Sequence, residues 1–349
     1  MGFQSIVPIA LVTAVVALSS SHGASAAVED FYKGKSITVI CGLAAGGNYD
    51  MAARLVGNYM VKHLPGATGP VVQNMPAAGG IAAINHMYNG APKDGTTIAV
   101  MQRAMPQQAY LEESGIRFDP NKFTYLGTMS SYAGDAFAIF IMADRTVKSW
   151  QDIRAGSDKK IVLGAVGAGS TNLTFPLIAK HALGLNIDVI RGYAGAPAIY
   201  LAMQRGEVDG QSAGLASIKA QQRTAWDSQQ FRVLIQFGRT TRLAELADVP
   251  TGQELATDPD ARALIAFAEA PFFMAMPFIA PPDIPAERIA GLRAAFDRAM
   301  ADPAFRAEAE KFDLDVSPLD GEAVAKLVRD MASTPKAVIE QFNTIAKSR

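Results

Sequence analysis

Cysteine is almost missing from this chain. Among 349 residues there is one, Cys41, so no disulfide can close within a molecule. With four histidines beside it, there is little material for a His/Cys zinc site. Charge is sparse and balanced: Lys plus Arg number 32, Asp plus Glu 33, and together they make 19% of the chain. A nucleic-acid binder needs a basic footprint to displace counterions from phosphates, and a formal net charge of −1 argues against one. No GxxxxGK[ST] phosphate loop occurs, and Gly167-Ala168-Gly169 runs on into Ser170-Thr171-Asn172 without the third glycine of a dinucleotide fingerprint. What is abundant is apolar material. Aliphatic, aromatic and cysteine residues make 49% of the chain, enough core for about two domains and too much for a disordered chain.

The first residues read as an address. Residues 6–18 are mostly apolar over about thirteen positions, short of the roughly twenty that span a bilayer. Ala24-Ser25-Ala26 then offers the small-x-small pattern that signal peptidase accepts, although residues 1–5 contain no Lys or Arg. The expectation is a signal peptide over 1–26, cleaved near Ala26, and a periplasmic mature chain. No cysteine follows for lipid attachment, and no later run reaches eighteen apolar residues.

Beyond it, short apolar runs alternate with helical periodicity. Residues 37–41 are a β-branched run, apolar on both faces, followed by a Gly-rich loop and a helix over 50–64 with Met51, Leu55 and Tyr59 on one face. Strands are predicted at 71–73 and 97–101, with a helix opening after Ala77-Ala78-Gly79-Gly80. The middle repeats the pattern: strands at 161–166, 187–190, 208–211 and 233–237, with helices at 172–183, 196–205 and 216–225. Strand, helix, strand at this spacing implies parallel βαβ units, hence two α/β sheets. The apolar segments 137–142 and 272–280 are candidate crossings between them. The tail from 286 reads as three or four amphipathic helices, broken near Pro303, Pro318 and Pro335, packed back on the first domain. The expected boundaries are 27–136 plus 274–349 for domain 1 and 137–273 for domain 2.

In open α/β sheets ligands sit beyond the carboxyl ends of the strands. The loops there are rich in small residues: Leu43-Ala44-Ala45-Gly46-Gly47-Asn48, Ala77-Ala78-Gly79-Gly80 and Gly167-Ala168-Gly169-Ser170-Thr171. Small residues bare backbone N–H groups, and helix N-termini carry about half a positive charge, a combination that suits an anion. Each loop alone reads equally as an ordinary strand-to-helix turn; their recurrence at equivalent positions makes a site. Asp50 has two readings, partner to a cationic group of the ligand or an acid stabilised in a first helical turn. Arg103 either grips a carboxylate with two parallel hydrogen bonds or is a solvated loop residue. Tyr193, before Ala194, Gly195 and Ala196, suits a cleft wall. His63, His86 and His181 fall in predicted helices, away from strand-end loops, and Cys41 in a buried strand, so no catalytic constellation is assembled.

Taken together, the residues resemble a known family. Phe31-Tyr32-Lys33-Gly34-Lys35, then Ala45-Gly46-Gly47-Asn48-Tyr49-Asp50 and Arg54, are similar to the opening of the Bug-type solute receptors of tripartite tricarboxylate transporters. Gln73-Asn74-Met75-Pro76-Ala77-Ala78-Gly79-Gly80, Ala91-Pro92-Lys93-Asp94-Gly95, Tyr193-Ala194-Gly195-Ala196-Pro197, Gly206-Glu207-Val208-Asp209 and Asp248-Val249-Pro250-Thr251 continue the likeness in order. The resemblance implies a two-domain periplasmic binding protein of the type II, Venus-flytrap kind, each domain a doubly wound, mostly parallel sheet. It implies a monomer that closes on a small organic carboxylate, a di- or tricarboxylate or an aromatic one. That ligand would pass to a permease of one large and one small membrane subunit, with no enzymatic step, cofactor or metal. The implied contacts are loop 43–48, the turn Gly167, Gly169, Ser170 and Thr171, and Tyr193 to Ala196, with Asp50, Ala78, Gly79 and Arg103 as further candidates. Leu43-Ala44 replaces the family's usual aromatic and proline, and Ala77-Ala78 stands where Pro-Gly or Gly-Gly is common. Two other outputs remain open: a receptor feeding a membrane signalling protein, and a secreted carboxylate-processing enzyme.

Overall fold

Strand β1 (Ser36–Cys41) buries Ile37, Val39, Ile40 and Cys41 on both its faces, because helices cover the sheet on each side. The helix that follows, α1 (Asn48–Lys62), turns Ala52, Ala53, Leu55, Val56 and Met60 inward. The structure, a computed structural model, describes residues 31–167 and 170–347. The expected signal peptide over 1–26 lies outside the described residues, as does Gly169.

The chain continues through β2 (Gly69–Asn74), α2 (Ile81–Asn89), β3 (Thr97–Val100), α3 (Met105–Tyr110) and β4 (Thr124–Thr128). Then come β5 (Phe137–Met142), β6 (Ile161–Gly164), α4 (Thr171–Ala182), β7 (Ile187–Ile190), α5 (Ala196–Gln204) and β8 (Gly210–Gly214). After α6 (Leu215–Gln221), α7 (Arg223–Asp227) and β9 (Phe231–Phe237), α8 (Gly252–Leu255) and α9 (Pro259–Phe273) lead to β10 (Pro277–Ala280). The tail holds α10 (Ala286–Ala301), α11 (Pro303–Lys311), β11 (Leu319–Asp320), α12 (Gly321–Ala332) and α13 (Lys336–Lys347).

These strands form two sheets, ordered β11-β4-β10-β3-β1-β2 and β7-β6-β8-β5-β9. The expected parallel βαβ units are present: β1 runs parallel to β2 and β3, and β6 parallel to β7 and β8. The first sheet also admits two antiparallel strands, β10 and the short edge strand β11, and the second sheet one, β5. β10 lies between β3 and β4, and β5 between β8 and β9.

That pairing corrects the expected crossings. Phe137–Met142 is an interior strand of the second sheet, with Ala138, Ile139, Phe140 and Ile141 wholly buried. The passage between sheets is made by residues 129–136 before it. On the return, only 274–276 of the segment 272–280 bridges; Pro277–Ala280 is already a strand of the first sheet. Strand β8 approaches β5 closely at Gly210, where a Cβ would fall 1.9 Å from the Phe140 carbonyl oxygen. Only glycine fits there.

In the tail, Pro303 occupies the first turn of α11 behind an Asp302 cap, and Asp320 caps α12 through the Ala323 amide at 2.7 Å. α10 packs on α1 and β4, and α12 on β4, closing the first sheet. α13 instead lies against α9 and α4, with Phe342 edge-on to Phe267 at 5.1 Å.

Candidate functional site

A cavity of about 380 Å³ opens at the carboxyl ends of β6, β7 and β8, where α4, α5 and α6 begin. The order of the sheet dictates this position: β6 is flanked by β7 and β8, so the three strand-to-helix turns come side by side. Ser170, Thr171 and Asn172 line it from the start of α4, Ala196 from the start of α5, and Ser217 from α6. Three helix N-termini at one cavity give it a positive bias. The rest of the wall is apolar or aromatic: Phe137 and Ala213 from the sheet, Phe272 from α9, and Tyr132 from the crossing segment.

The first sheet contributes one side chain, Arg103, from the loop after β3. Its guanidinium carbon lies 4.6 Å from the Phe272 ring centre and 5.5 Å from that of Tyr132. Among the described residues no carboxylate comes within ion-pair distance of it. Its backbone is anchored as well: the Arg103 amide donates to Tyr49 Oη at 3.3 Å, and Tyr49 Oη donates to the Ala275 carbonyl at 2.9 Å. One hydroxyl therefore ties the Arg103 loop and the start of α1 to the return crossing.

Asp135 also faces the cavity, but its Oδ1 accepts from the amides of Ala136 at 2.8 Å and Ala216 at 3.0 Å. Arg239 donates to the carbonyls of Asp135 and Ala133 at 2.6 and 2.8 Å, so a positive charge flanks this acid on the crossing segment. Its carboxylate thus serves a helix cap.

Sequence reasoning placed other residues here that the structure distributes differently. Ala44, Ala45, Gly46, Gly47 and Asn48 are exposed and Leu43 half-buried, all on the first lobe and outside the cavity wall. Ala78 and Gly79 are exposed with left-handed backbone, at φ 51° and 63°. Gly167 is held by Ser170, whose Oγ donates to its carbonyl at 2.5 Å and whose amide reaches the same oxygen at 3.1 Å. Tyr193 lies over Gly164, Ala194 is exposed, and Gly195 supplies the cap position of α5. Arg103, Ser170, Thr171 and Ala196 are brought together in the wall.

Asp50 settles between its two readings. It is only 3% exposed, and both oxygens are occupied by the protein: Oδ2 accepts from the Gly46 amide at 2.9 Å and Arg54 Nε at 3.0 Å, Oδ1 from Asn74 Nδ2 at 2.9 Å. Asn74 also donates to the Leu43 carbonyl at 2.9 Å, so the acid staples both ends of the loop 43–48. Burial alone would raise its carboxyl, but the hydrogen bonds from Arg54, Gly46 and Asn74 prevail and hold it at about 2. A lowered carboxyl stabilises the fold above the ordinary carboxylate range, and that contribution drains away as pH falls toward 2. Asp50→Asn is expected to cost about 1–2 kcal/mol at pH 7, since Arg54 is half-exposed and screened by water. Urea midpoints should show the gap to wild type narrowing between pH 5 and pH 2; a constant gap would mean the acid is not held ionised.

Besides Tyr132, Asp135, Phe137 and Phe272, the lining residues that sequence reasoning did not place include Gln211 and Ser212 on β8, both fully buried. Their signal was present in Gly210-Gln211-Ser212-Ala213-Gly214, which has the GxSxG spacing of a hydrolase nucleophile and corrects the expectation that the sequence holds no such elbow. In a hydrolase that serine sits on a sharp strand-to-helix turn beside a histidine. Here the five residues are a strand, Ser212 pairs with Ile139 in the ladder, and among the described residues no histidine lines the cavity. Cys41 is likewise no nucleophile, since burial pushes its thiol up. Among the described residues no cluster of His, Cys, Asp and Glu could hold a metal ion, and no helix is long and apolar enough to cross a membrane.

Comparison with known proteins agrees with this architecture. Residues 52–344 match the model of the tripartite tricarboxylate transporter family receptor. A protein of Cupriavidus necator described as "UPF0065 protein in gbd 5'region" is 27% identical over 347 residues, 97% of each chain. Among solved structures, an unliganded TctC solute-binding protein from Polaromonas superposes with a TM-score of 0.69 at 21% identity, over 89% of this chain and 99% of that one. The periplasmic binding protein BugD does so at 0.51 and 20% identity, over 90% and 98%. An R. palustris protein solved with adipate reaches 0.50 at 18% identity, over 90% and 97%. These structures share the two-sheet fold. By the match across most of its length, the chain belongs to the tripartite tricarboxylate transporter receptors, a family of periplasmic solute-binding proteins and not of enzymes.

Proposed function

We propose that this receptor captures a small carboxylate with a flat, apolar body and delivers it to a permease of one large and one small membrane subunit. The observation that carries the reading is Arg103: a cation without an acidic partner, seated between Phe272 and Tyr132 in a cavity where three helices begin. A guanidinium offers a carboxylate two parallel hydrogen bonds. Among the described residues Arg103 is the one cation facing the cavity, beside the Asp135 acid, so a single carboxylate is better matched than the three charges of a tricarboxylate. Phe137, Phe272 and Tyr132 suit an aromatic ring.

Capture works by a shift of population between open and closed lobes, driven only by contacts that the ligand makes better in the closed form. In this reading the lobes are residues 27–136 with 274–349, and 137–273. Closure carries the loop 43–48 and the Ala78-Gly79 turn toward the cavity, where amides other than that of Gly46, which Asp50 holds, face the ligand. The chain acts as a monomer, exported by residues 1–26, and needs no cofactor.

A melting-shift screen tests this. Benzoate and related aromatic carboxylates should raise the midpoint, aliphatic dicarboxylates less and tricarboxylates least; a ligand at a hundred times its Kd adds about 2.7 kcal/mol. Stabilisation by amines or sugars, with none from carboxylates, would overturn the assignment. Uptake of the same carboxylate lost on deleting this receptor, and restored by supplying it, tests delivery.

A further inference from the structure

The register of the first sheet sets the Arg103 amide opposite the Ala275 carbonyl, yet a third group stands between them. Strands β3 and β10 run antiparallel, with Ala99 opposite Ile279 and Val100 opposite Phe278. The register continues past the strand ends, since the Met101 amide donates to the Pro277 carbonyl at 2.8 Å. In an antiparallel ladder every second pair is hydrogen-bonded, so the next rung joins Arg103 to Ala275. The hydroxyl of Tyr49 occupies that rung. It accepts from the Arg103 amide at 3.3 Å and donates to the Ala275 carbonyl at 2.9 Å. A phenolic hydroxyl both donates and accepts, so it fills the gap and leaves neither backbone group unpaired.

The inserted hydroxyl works from a fixed base. Tyr49 lies in the first turn of α1, next to Asp50, whose carboxylate is held by Gly46, Arg54 and Asn74. The return crossing is fixed in turn by the outgoing one. Its Ala275 amide donates to the Ser130 carbonyl at 2.8 Å, and the Met129 amide donates to the Met276 carbonyl at 3.1 Å. Arg103 leaves the ladder at this wedge, and its guanidinium lies over the rings of Phe272 and Tyr132 in the cavity wall. One ring precedes the return crossing; the other belongs to the outgoing one.

We infer that Tyr49 is a positioning residue: its hydroxyl, inserted into the ladder, holds the Arg103 loop off the return crossing and sets the guanidinium where a carboxylate meets it. This rests on the reading of Arg103 as the carboxylate's partner and adds the residue that places it. Without the hydroxyl, the Arg103 amide and the Ala275 carbonyl are left unpaired unless the rung closes. Closing it draws the Arg103 backbone toward Ala275. A bidentate grip depends on the direction of the guanidinium plane, so a small displacement weakens it.

Isothermal titration of the full mature chain with benzoate tests the inference, comparing wild type, Tyr49→Phe, Arg103→Met and the double variant. Tyr49→Phe should bind benzoate about tenfold more weakly than wild type. The double variant should bind within about threefold of Arg103→Met, because the hydroxyl acts only through the arginine. A merely structural hydroxyl would leave the affinity of the folded protein unchanged, or add its loss in full to that of Arg103→Met. Either result would overturn the positioning role while the carboxylate reading stands, as would a Tyr49→Phe chain that no longer folds. A crystal structure of ligand-free Tyr49→Phe gives a second readout: the guanidinium should have left its place over Phe272, and an unmoved Arg103 would overturn the inference. Equal benzoate affinity in wild type and Arg103→Met, or binding by neither, would overturn both readings.

Discussion

Replacing Arg103 by Met should weaken carboxylate binding by about a hundredfold or more while leaving the fold intact. Charge-assisted hydrogen bonds from a guanidinium contribute about 1.5–3 kcal/mol each, and a bidentate grip makes two. Methionine keeps an unbranched apolar stem and loses only the guanidinium that lies over Phe272, so the packing lost is small. The cation–π contacts with Phe272 and Tyr132 contribute about 0.5–1 kcal/mol between ligand-free forms. Titration should therefore show a large loss of affinity beside a modest change in melting point. Arg103→Lys separates charge from geometry. Lysine keeps the positive charge without the planar fork, so an intermediate loss of about tenfold is expected. Binding of Arg103→Met within a few-fold of wild type would move the carboxylate elsewhere in the cleft, to the helix N-termini alone.

That Arg103 could be picked out from the sequence at all follows from the regularity of α/β sheets. A residue directly after a strand must fall at the sheet's carboxyl edge, and Arg103 follows Thr97–Val100 by that logic. The same logic found Ser170, Thr171 and Ala196, which begin helices after β6 and β7. The β-branched run of β1 and the Gly-rich start of α1 were legible for a similar reason, since they are local signals. What escaped is non-local. Phe137–Met142 reads the same whether it spans a gap or fills a sheet; only the partners β8 and β9, brought in from 210–237, make it a strand. The strand Thr124–Thr128 has one aliphatic residue, Leu126, and owes its burial to α10 and α12 from the far end of the chain. Tyr132, Asp135 and Phe272 come from crossing segments whose positions depend on that same pairing. Asp50 shows the limit at a single residue. Its place in a first helical turn is a sequence fact, but its capture by Gly46, Arg54 and Asn74 needs a side chain twenty-four residues away.

The second large effect concerns Glu269, which no local pattern marks. It lies on α9, 1% exposed, beside a second cavity of about 300 Å³ between α9 and α12. Burial pushes its carboxyl up to about 8, against the opposing pull of the Gly238 amide, which donates to Oε1 at 2.8 Å, and of Gln253. Arg239 and Asp330 are the charged groups sharing that cavity; Arg239 is engaged by the carbonyls of Ala133 and Asp135, and Asp330 pairs with Lys326. A carboxyl raised on folding binds its proton more tightly in the native chain than in the unfolded one. Stability is therefore fullest below the unfolded value near 4.5 and is lost as pH climbs from there through about 8. Glu269→Gln keeps an oxygen for the Gly238 amide and carries no charge to desolvate. It should match wild type near pH 4.5 and exceed it by about 2–4 kcal/mol at pH 9, after allowance for relaxation around the ionised group. Urea unfolding at intervals from pH 5 to pH 9 reads the difference directly. Parallel curves for the two proteins would show that Glu269 is ionised throughout and that the cavity beside it admits water. The consequence reaches the ligand cavity, because Gly238 and Phe272 line its wall and both adjoin this carboxyl's anchor. Through the Gly238 amide, Glu269 ties the end of β9 to α9, next to the Phe272 ring that lies under Arg103.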